Sequence, residues 1–288
     1  MKSPHVRAVD DTDVPRVCAF LEEHASTSMF MLSNLAMNGP RIGAAMTSGD
    51  FKIIGEDGKL CAVFCLTRRG NLFAEAGGRT EFARAIVESC RAEPIAIVGV
   101  LGEWNLAQAI WSILRDSPGF NERYAVKDVL QTLDLDEAIQ PALALQVRQL
   151  RAQDFAEWDL LNTAFCVEEG LPLQSTVTDR QAMFVPSTTA QRWWGYFEDD
   201  KLLAMAGLNA VYKHLGQVGG VYTLTDRRRA GLSRATMNAL LADSVHVHRL
   251  RRLVLFTGEH NHAARRLYSS LGFSTVGDYA LLMCEPLR

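Results

Sequence analysis

Hydrophobic and polar positions along this chain change their spacing repeatedly, and each spacing is typical of one kind of secondary structure. Short apolar runs near turn-forming residues, as at 61–67 and 202–208, are typical of β-strands. Apolar residues three or four positions apart, as at 13–24 and 154–165, are typical of helices with one buried face. Because strands and helices are interspersed along the whole chain, the pattern predicts an α/β fold of the α+β type.

The same pattern predicts an order of elements in each half of the chain. The first half is predicted to contain a strand at 6–9, helices at 13–24 and 29–37, strands at 51–55, 61–67 and 72–75, a helix at 81–91, a strand at 95–100, a helix at 104–114 and a strand at 129–133. The second half is predicted to contain a strand at 145–150, a helix at 154–165, a loop at 166–175, a helix at 179–184 ending before Pro186, strands at 192–197, 202–208 and 215–221, a helix from Leu232, a strand at 253–256 and a helix at 263–270.

The two halves repeat short sequence patterns at a nearly constant distance. VRAVDDTDV begins at Val6 and VRQLRAQDF begins at Val147, which is 141 residues later (147 minus 6). Lys-Leu-x-Ala occurs at Lys59 and again at Lys201, which is 142 residues later (201 minus 59). A repeat of this length predicts two related domains, 1–140 and 141–288, joined by a polar linker at 134–141.

Composition narrows the class of protein. The chain has 288 residues, of which 48% are hydrophobic and 22% are charged, and this is enough material for two hydrophobic cores. No apolar run is long enough to span a membrane and the first residues do not resemble a secretory signal, so we expect a cytoplasmic protein without a membrane partner. The net charge of -3 argues against nucleic acid as a partner. The six cysteines lack paired spacing, which favours reduced thiols and no metal site.

The most informative stretch is GGVYTLTDRRRAGLSRA at 219–235, which reads as a strand, a loop and the start of a helix. The first turn of a helix has backbone N–H groups without intrahelical partners and carries partial positive charge, so it stabilises a phosphate. Gly231 lets a ligand approach the backbone closely, and the neighbouring arginines supply forked donors. A pyrophosphate would fit this junction, although a solvated basic turn before an ordinary helix explains the loop equally well.

Two motifs in this half resemble those of the GNAT superfamily of acyl-CoA N-acyltransferases. The pyrophosphate motif of that family is Arg or Gln, two residues, Gly, one residue, then Gly or Ala, and it is matched here by 228–233 except that Ser233 takes the last position. The late motif of the family, an Asn and then a helix ending in Leu-Tyr and Leu-Gly-Phe, is matched by Asn261, by Leu267 and Tyr268, and by 271–273. The two motifs together are more specific than either alone.

The resemblance implies two GNAT-like units, each a mixed and mostly antiparallel sheet flanked by helices. It also implies acetyl-CoA as cosubstrate and a primary amine, on a small molecule or a peptide, as acceptor. The residues implied to bind the cofactor are Tyr222, Thr223, Leu224, Arg228, Arg229, Ala230, Gly231, Leu232, Ser233 and Asn261. An alternative for Asn261 is that its side chain caps the late helix.

The mechanism that the resemblance implies is direct attack of the amine on the thioester, with the oxyanion held by a backbone N–H near Leu224. Tyr268 is the implied general acid for the leaving thiolate, and packing beside Phe273 is the alternative role. The general base stays open, and the candidates are Glu168, Glu169, Glu259, His260 and an ordered water. Trp193 and Trp194 are candidates for the pocket wall, with at least one expected in the core.

The first half lacks both motifs. Where the second half has RRRAGLS, the first has Gly77-Gly78-Arg79-Thr80-Glu81. We therefore expect a degenerate copy that covers a sheet edge, shapes the acceptor pocket or oligomerises, for instance as a homodimer. For the whole chain, a non-catalytic acyl-CoA sensor or scaffold is the alternative to an N-acetyltransferase.

Overall fold

The structure is a computed structural model, and it describes residues 5–136, 146–172 and 176–287. Its helices are α1 (Val14–Glu23), α2 (Ala25–Asn38), α3 (Ala83–Arg91), α4 (Trp104–Arg115), α5 (Phe155–Glu169), α6 (Val177–Thr189), α7 (Leu232–His246) and α8 (His262–Ser270). Its strands are β1 (His5–Ala8), β2 (Gly49–Glu56), β3 (Lys59–Thr67), β4 (Asn71–Glu75), β5 (Ile97–Glu103), β6 (Glu122–Asp134), β7 (Val147–Gln149), β8 (Trp193–Glu198), β9 (Lys201–Tyr212), β10 (Leu215–Thr223), β11 (Arg252–Gly258) and β12 (Ser274–Leu287).

The chain forms two compact units, and each unit is built from segments that are not consecutive in the sequence. The first unit comprises Met1–Leu130, Phe256–Arg265 and Thr275–Arg288, and the second comprises Gln131–Leu255 and Arg266–Ser274. The predicted domain boundary between 140 and 141 lies outside the described residues and stays a prediction, as does the part of the predicted linker beyond residue 136.

Each unit contains a mixed and mostly antiparallel sheet. In the first unit β1, β2, β3, β4, β5 and β12 lie side by side in that order, and among these described strands only the β4–β5 pair is parallel. In the second unit β7, β8, β9, β10 and β11 lie side by side, and of the pairs that the structure describes there only β10–β11 is parallel. The order β1 to β5 therefore corresponds strand by strand to the order β7 to β11. The predicted fold class is confirmed.

Most predicted elements are present within a few residues of their predicted ends, but α5 is longer than predicted. The helix was expected to end at residue 165 and to be followed by a loop from 166. It continues to Glu169 and ends where Gly170 adopts a left-handed conformation with φ of 68°, its N–H bonded to the carbonyl of Cys166. The glycine that terminates the helix lies five residues beyond the predicted end (170 minus 165), so Glu168 and Glu169 belong to the last helical turn.

Helix α6 also differs from its prediction, because it does not end before Pro186. Thr176 caps its start through a capping box with Asp179, and the helix runs through the proline to Thr189. The N–H of Ala190 still bonds to the carbonyl of Pro186. A proline in a helix interior removes one hydrogen bond, and here the flanking bonds maintain the helix.

Strand β12 was not predicted at all. It is 14 residues long and pairs antiparallel with β5, with Ala280 opposite Gly102 and Leu282 opposite Val100. The apolar run from Tyr279 to Cys284 is typical of a strand, but the predicted order of elements stopped at the late helix that precedes it.

Aromatic side chains fill the core of the second unit. The ring of Trp158 lies 4.6 Å from that of Phe184 and 5.4 Å from that of Trp193. Trp194 is 1% exposed on the opposite face, where its indole N–H donates to Asp243 at 2.7 Å. Both tryptophans are therefore core residues, so the sequence-based expectation of at least one is met.

Each unit has the same arginine–aspartate network directly before its first helix. Arg7 donates two hydrogen bonds to the carboxylate of Asp13 at 2.5 and 2.7 Å, and Arg148 donates two to Asp154 at 2.7 and 2.9 Å. In both units the arginine also donates to the carbonyl of the next residue. The hydrogen bonds from the arginines lower the pKa of both carboxyls below their ordinary value. The two networks are 141 residues apart, the same distance as the sequence repeat.

Strand β10 contains a bulge that depends on glycine. Gly219 pairs with Gly207 and Tyr222 pairs with Met205, so β10 has one more residue than β9 over this interval. Gly220, inside the bulge, has φ of +60°, and a Cβ atom there would lie 2.5 Å from the ring of Trp193. Both the backbone conformation and the packing of Trp193 thus require glycine at this position.

We predict that Gly220→Ala lowers the free energy of unfolding by about 2 to 3 kcal/mol, because it adds steric overlap to left-handed strain. Gly231→Ala is the matched control, since Gly231 has φ of +83° but no atom within 4 Å of an added Cβ. The control should lose only about 1 kcal/mol. Urea unfolding followed by tryptophan fluorescence measures both, and equal losses would contradict the steric role assigned to Trp193.

Candidate active site

The site begins where β10 separates from its parallel neighbour. Their pairing runs from Leu215 opposite Arg252 to Gln217 opposite Val254 and goes no further among the described residues. In the first unit the corresponding strands, β4 and β5, stay paired up to Ala74, one residue before β4 ends. Beyond Gln217 the backbone of β10 is therefore not paired with β11 among the described residues, and we call this break in the pairing the opening beside β10. An extended ligand could pair with the strand there.

The loop after β10 ends in an exposed helix N-terminus. Arg229 has φ of +65°, uncommon for a residue with a side chain, and Gly231 has φ of +83° immediately before α7. No side chain of the described residues caps α7, and the first backbone bond of the helix is from Ala235 to the carbonyl of Gly231. The amides of 232–234 therefore have no intrahelical acceptor. An anion at this end of α7 would meet these amides and the positive end of the helix dipole.

The four arginines of this segment differ in how they are held. Arg227 pairs with Glu198 at 3.0 Å, and Arg228 pairs with Glu168 at 2.6 Å. Arg234 donates to the hydroxyl of Ser270 at 2.7 Å. Arg229 is exposed, and within the described ranges it makes no hydrogen bond or ion pair. Arg229 can therefore contact a ligand without breaking any contact of the protein.

Arg228 lies at the centre of a small polar cluster. Its Nε donates to the carbonyl of Thr223 at 3.2 Å, and its guanidinium lies 5.5 Å from the ring centre of Tyr222. The Tyr222 hydroxyl donates to the same Glu168 oxygen that Arg228 contacts, at 3.1 Å. The hydrogen bond from Arg228 lowers the pKa of Glu168, and the same contact raises the pKa of Arg228.

Two other contacts fix the end of β10. The hydroxyls of Thr223 and Ser233 lie 2.5 Å apart, so the serine at the last motif position bonds to the strand. The N–H of Leu224 donates to the carbonyl of Leu203 at 3.0 Å. The amide of Leu224 itself is therefore already bonded, and the oxyanion donor near Leu224 that the resemblance implies stays a prediction.

Tyr268 is 6% exposed and its ring lies 5.9 Å from that of Phe273, so it occupies the packing position that the sequence offered as the alternative to catalysis. Burial raises the pKa of Tyr268 above its ordinary value, and the negative charge of Glu169 adds to this effect. Within the described part of the chain its hydroxyl makes no hydrogen bond. A protonated, uncommitted hydroxyl can still donate to a ligand that reaches it.

Asn261 caps the late helix, because its side-chain oxygen accepts from the N–H of Ala264 at 3.1 Å. This is the alternative role considered for it, and its contact with a cofactor stays a prediction. Among the other candidates for the general base, Glu259 and His260 are exposed residues of the turn before α8.

The described residues contain no group of three or more His, Cys, Asp or Glu side chains placed to hold a metal ion. The six cysteines are free thiols, and four of them are buried. No helix in the described ranges is both long and apolar enough to cross a lipid bilayer.

The sequence of residues 155–273 matches the model of the acetyltransferase (GNAT) family. The matched segment comprises 119 of the 288 residues (273 minus 155, plus 1) and is similar to GNAT acetyltransferases. The matched range contains β10, its loop, α7 and α8, and so includes every predicted site residue. A search of curated protein sequences gave no match.

Solved structures with the same fold extend the likeness to the whole chain. A Drosophila protein superposes with a TM-score of 0.69 at 14% identity, covering 98% of this chain and 99% of its own. A GCN5-related N-acetyltransferase from Sphaerobacter thermophilus gives 0.60 at 16% identity, covering 100% and 97%. A tandem GNAT protein from the clavulanic acid biosynthesis pathway gives 0.53 at 14% identity, covering 99% and 98%. At these identities the likeness shows the shared GNAT fold.

Two contacts of the candidate site are not predictable from the motifs. The Glu168–Arg228 pair joins residues 60 positions apart, and the Thr223–Ser233 pair joins a strand to a helix. Only one signal for the first pair exists in the sequence, namely a carboxylate in the segment that the GNAT resemblance places over the acceptor.

We predict that Ser233→Ala and Thr223→Val each lower the free energy of unfolding by about 1 kcal/mol, because each leaves the other hydroxyl unpaired. The double variant should be no less stable than either single variant, since neither hydroxyl remains. Urea unfolding of the four proteins measures the coupling. Simple addition of the two losses would show that the two hydroxyls do not interact.

Proposed function

We propose that the chain is an N-acetyltransferase that transfers the acetyl group of acetyl-CoA to a primary amine. The observation that carries the proposal is the opening beside β10, which leads directly into a loop and an uncapped helix start. An extended thioester chain fits the first part and a pyrophosphate fits the second. The similarity of 155–273 to GNAT acetyltransferases supports the same reaction class.

The donor would be held chiefly by the loop and α7. The amides of Leu232 and Ser233, the open space beside Gly231 and the uncommitted guanidinium of Arg229 suit the pyrophosphate oxygens. The backbone of Tyr222 and Thr223 lies along the opening, where the amide groups of the cofactor arm would pair with the strand.

In the reaction, the amine nitrogen forms a bond to the thioester carbon and the C–S bond then breaks to release the thiolate of CoA. The bulge at Gly220 leaves one residue of β10 outside the β9 ladder, and a backbone N–H from it is our proposed donor to the oxyanion. Tyr268, kept protonated by its burial, donates to the departing sulfur. The acceptor arrives as an ammonium ion, so it gives one proton to a carboxylate or water before its nitrogen attacks. The second proton that the nitrogen loses replaces the one that Tyr268 gives to the sulfur.

For that base we favour Glu168 among the candidates. It lies on the last turn of α5 beside Tyr222 and Arg228, at the end of β10. An ammonium group is the natural partner of this carboxylate, which supports a primary amine as acceptor on either a small molecule or a peptide.

We propose that the first unit is a degenerate copy without a cofactor site. At the end of β4 the carboxylate of Glu75 accepts a hydrogen bond from the N–H of Gly77 at 2.8 Å and another from the hydroxyl of Thr27. This buried anion lies where β4 enters its loop, the position at which the second unit would receive a cofactor. It would repel a pyrophosphate, so the role left to this unit is structural, including a contact between two copies of the chain.

We predict that Arg228→Ala combined with Gly231→Glu weakens acetyl-CoA binding more than tenfold, equivalent to about 1.4 kcal/mol or more. The change removes a cation and places a carboxylate against the pyrophosphate. Isothermal titration measures the dissociation constant, and thermal unfolding checks that the variant is folded.

The matched control is Arg79→Ala combined with Gly78→Glu. Gly78 has φ of +79° and, like Gly231, has no atom within 4 Å of an added Cβ. Arg79, like Arg228, is held by carboxylates, here those of Glu56 and Glu81. Binding should be unchanged in the control. The reverse result would move the cofactor to the first unit, and no binding by the unaltered protein would refute the proposed donor.

We predict that Tyr268→Phe lowers kcat by about 100-fold, because the leaving thiolate loses its proton donor. The dissociation constant for acetyl-CoA should stay within about twofold, since the ring keeps its packing against Phe273. CoA release across a panel of primary amines measures the rate. Full activity of the variant would leave Tyr268 a packing residue, and a protein that binds acetyl-CoA but acetylates no amine would favour the alternative of a sensor or scaffold.

A further inference from the structure

The ion pair between Glu168 and Arg228 connects the end of α5 to the loop that we propose binds the cofactor. The carboxylate also accepts the hydroxyl of Tyr222, so its bonds come from the strand and the loop together. Both charged side chains are accessible, at 43% for Glu168 and 39% for Arg228. The contact therefore lies at the surface of the site and outside the core of the unit.

Arg228 has two possible anionic partners if the proposed function is correct. One is the Glu168 carboxylate, which it contacts at 2.6 Å, and the other is the pyrophosphate that its motif position is suited to bind. A guanidinium presents several donors, but two anions brought to the same side of it repel each other. Binding of the pyrophosphate to Arg228 must therefore oppose the contact with Glu168.

The geometry allows the exchange with little movement. The Nε of Arg228 is bonded to the carbonyl of Thr223, which holds the side chain along the end of β10. Only the terminal nitrogen that contacts Glu168 has to change partner. An accessible ion pair contributes at most about 1 kcal/mol, a cost that the new phosphate contacts can exceed.

We propose that Glu168 competes with the cofactor for Arg228, so that acyl-CoA binding breaks the ion pair and uncovers the carboxylate. This inference rests on the proposed function and adds an order in which the donor and the acceptor bind. Before the donor binds, Glu168 is neutralised by Arg228 and is a weak base. Afterwards it retains the hydroxyl of Tyr222 and faces the site as an anion, which favours an acceptor that arrives as an ammonium ion after the donor.

The test is isothermal titration of CoA, which cannot turn over, into the unaltered protein, Glu168→Gln and Glu198→Gln at physiological salt. Glu198 is the matched control, because it pairs with the adjacent Arg227 at 3.0 Å and has a similar accessibility of 38%. Each variant removes one negative charge near the loop, so a general charge effect is the same in both. We expect CoA to bind about threefold to fivefold more tightly to Glu168→Gln, and within about 1.5-fold of the unaltered value to Glu198→Gln.

A double-variant comparison locates the effect at Arg228. In an Arg228→Ala background, Glu168→Gln should leave CoA binding unchanged, because the contested cation is gone. Equal tightening by Glu168→Gln and Glu198→Gln, or no tightening by Glu168→Gln, would overturn the competition while leaving the donor site intact. Failure of the unaltered protein to bind CoA would instead refute the proposed function and this inference together. Thermal unfolding of each variant confirms that the comparison is between folded proteins.

Discussion

The structure of the second unit depends on the path of one strand. Strand β10 stays paired with β9 to its end but leaves β11 after Gln217, and the bulge at Gly220 shifts its register in the same stretch. The ring of Trp193 packs directly against that bulge, so a core aromatic residue and a left-handed glycine together set where the strand points. The opening, the basic loop and the N-terminus of α7 all follow from this path, because each begins where β10 stops pairing.

Charge in this site is held in pairs that are easily broken. Arg227 and Arg228 are each held by a carboxylate from another segment, Glu198 and Glu168. In the absence of a ligand, each carboxylate offsets the charge of its arginine, so the two neighbouring arginines repel each other less. Such accessible pairs nevertheless contribute little to stability. The first unit uses carboxylates differently, because Glu75 is buried and bonded to its own loop. A ligand can thus replace a carboxylate as the partner of an arginine in the second unit, whereas the carboxylate of Glu75 is a permanent part of the first unit.

Much of the fold is predictable from sequence because the period of the hydrophobic residues predicts the type of each element. The start of α7 is predictable as well, because Gly231 marks it. The end of α5 and the continuation of α6 through Pro186 were missed, since local signals for stopping a helix can be outweighed by neighbouring bonds. The motif residues of the candidate site lie on the predicted strand, loop and helix. Their partners do not follow from sequence, because the contact of Glu168 with Arg228 and the burial of Tyr268 depend on tertiary packing.

The position of β12 has a consequence for how the protein is made. Among the described strands β12 comes last along the sequence, yet it pairs with β5, whose residues belong to the first unit. The first unit therefore cannot complete its sheet until residues 274–287 have been synthesised, after the segments of the second unit. Until then the edge of β5 has no β12 to pair with. A nonsense mutation that removes β12 would thus damage the first unit.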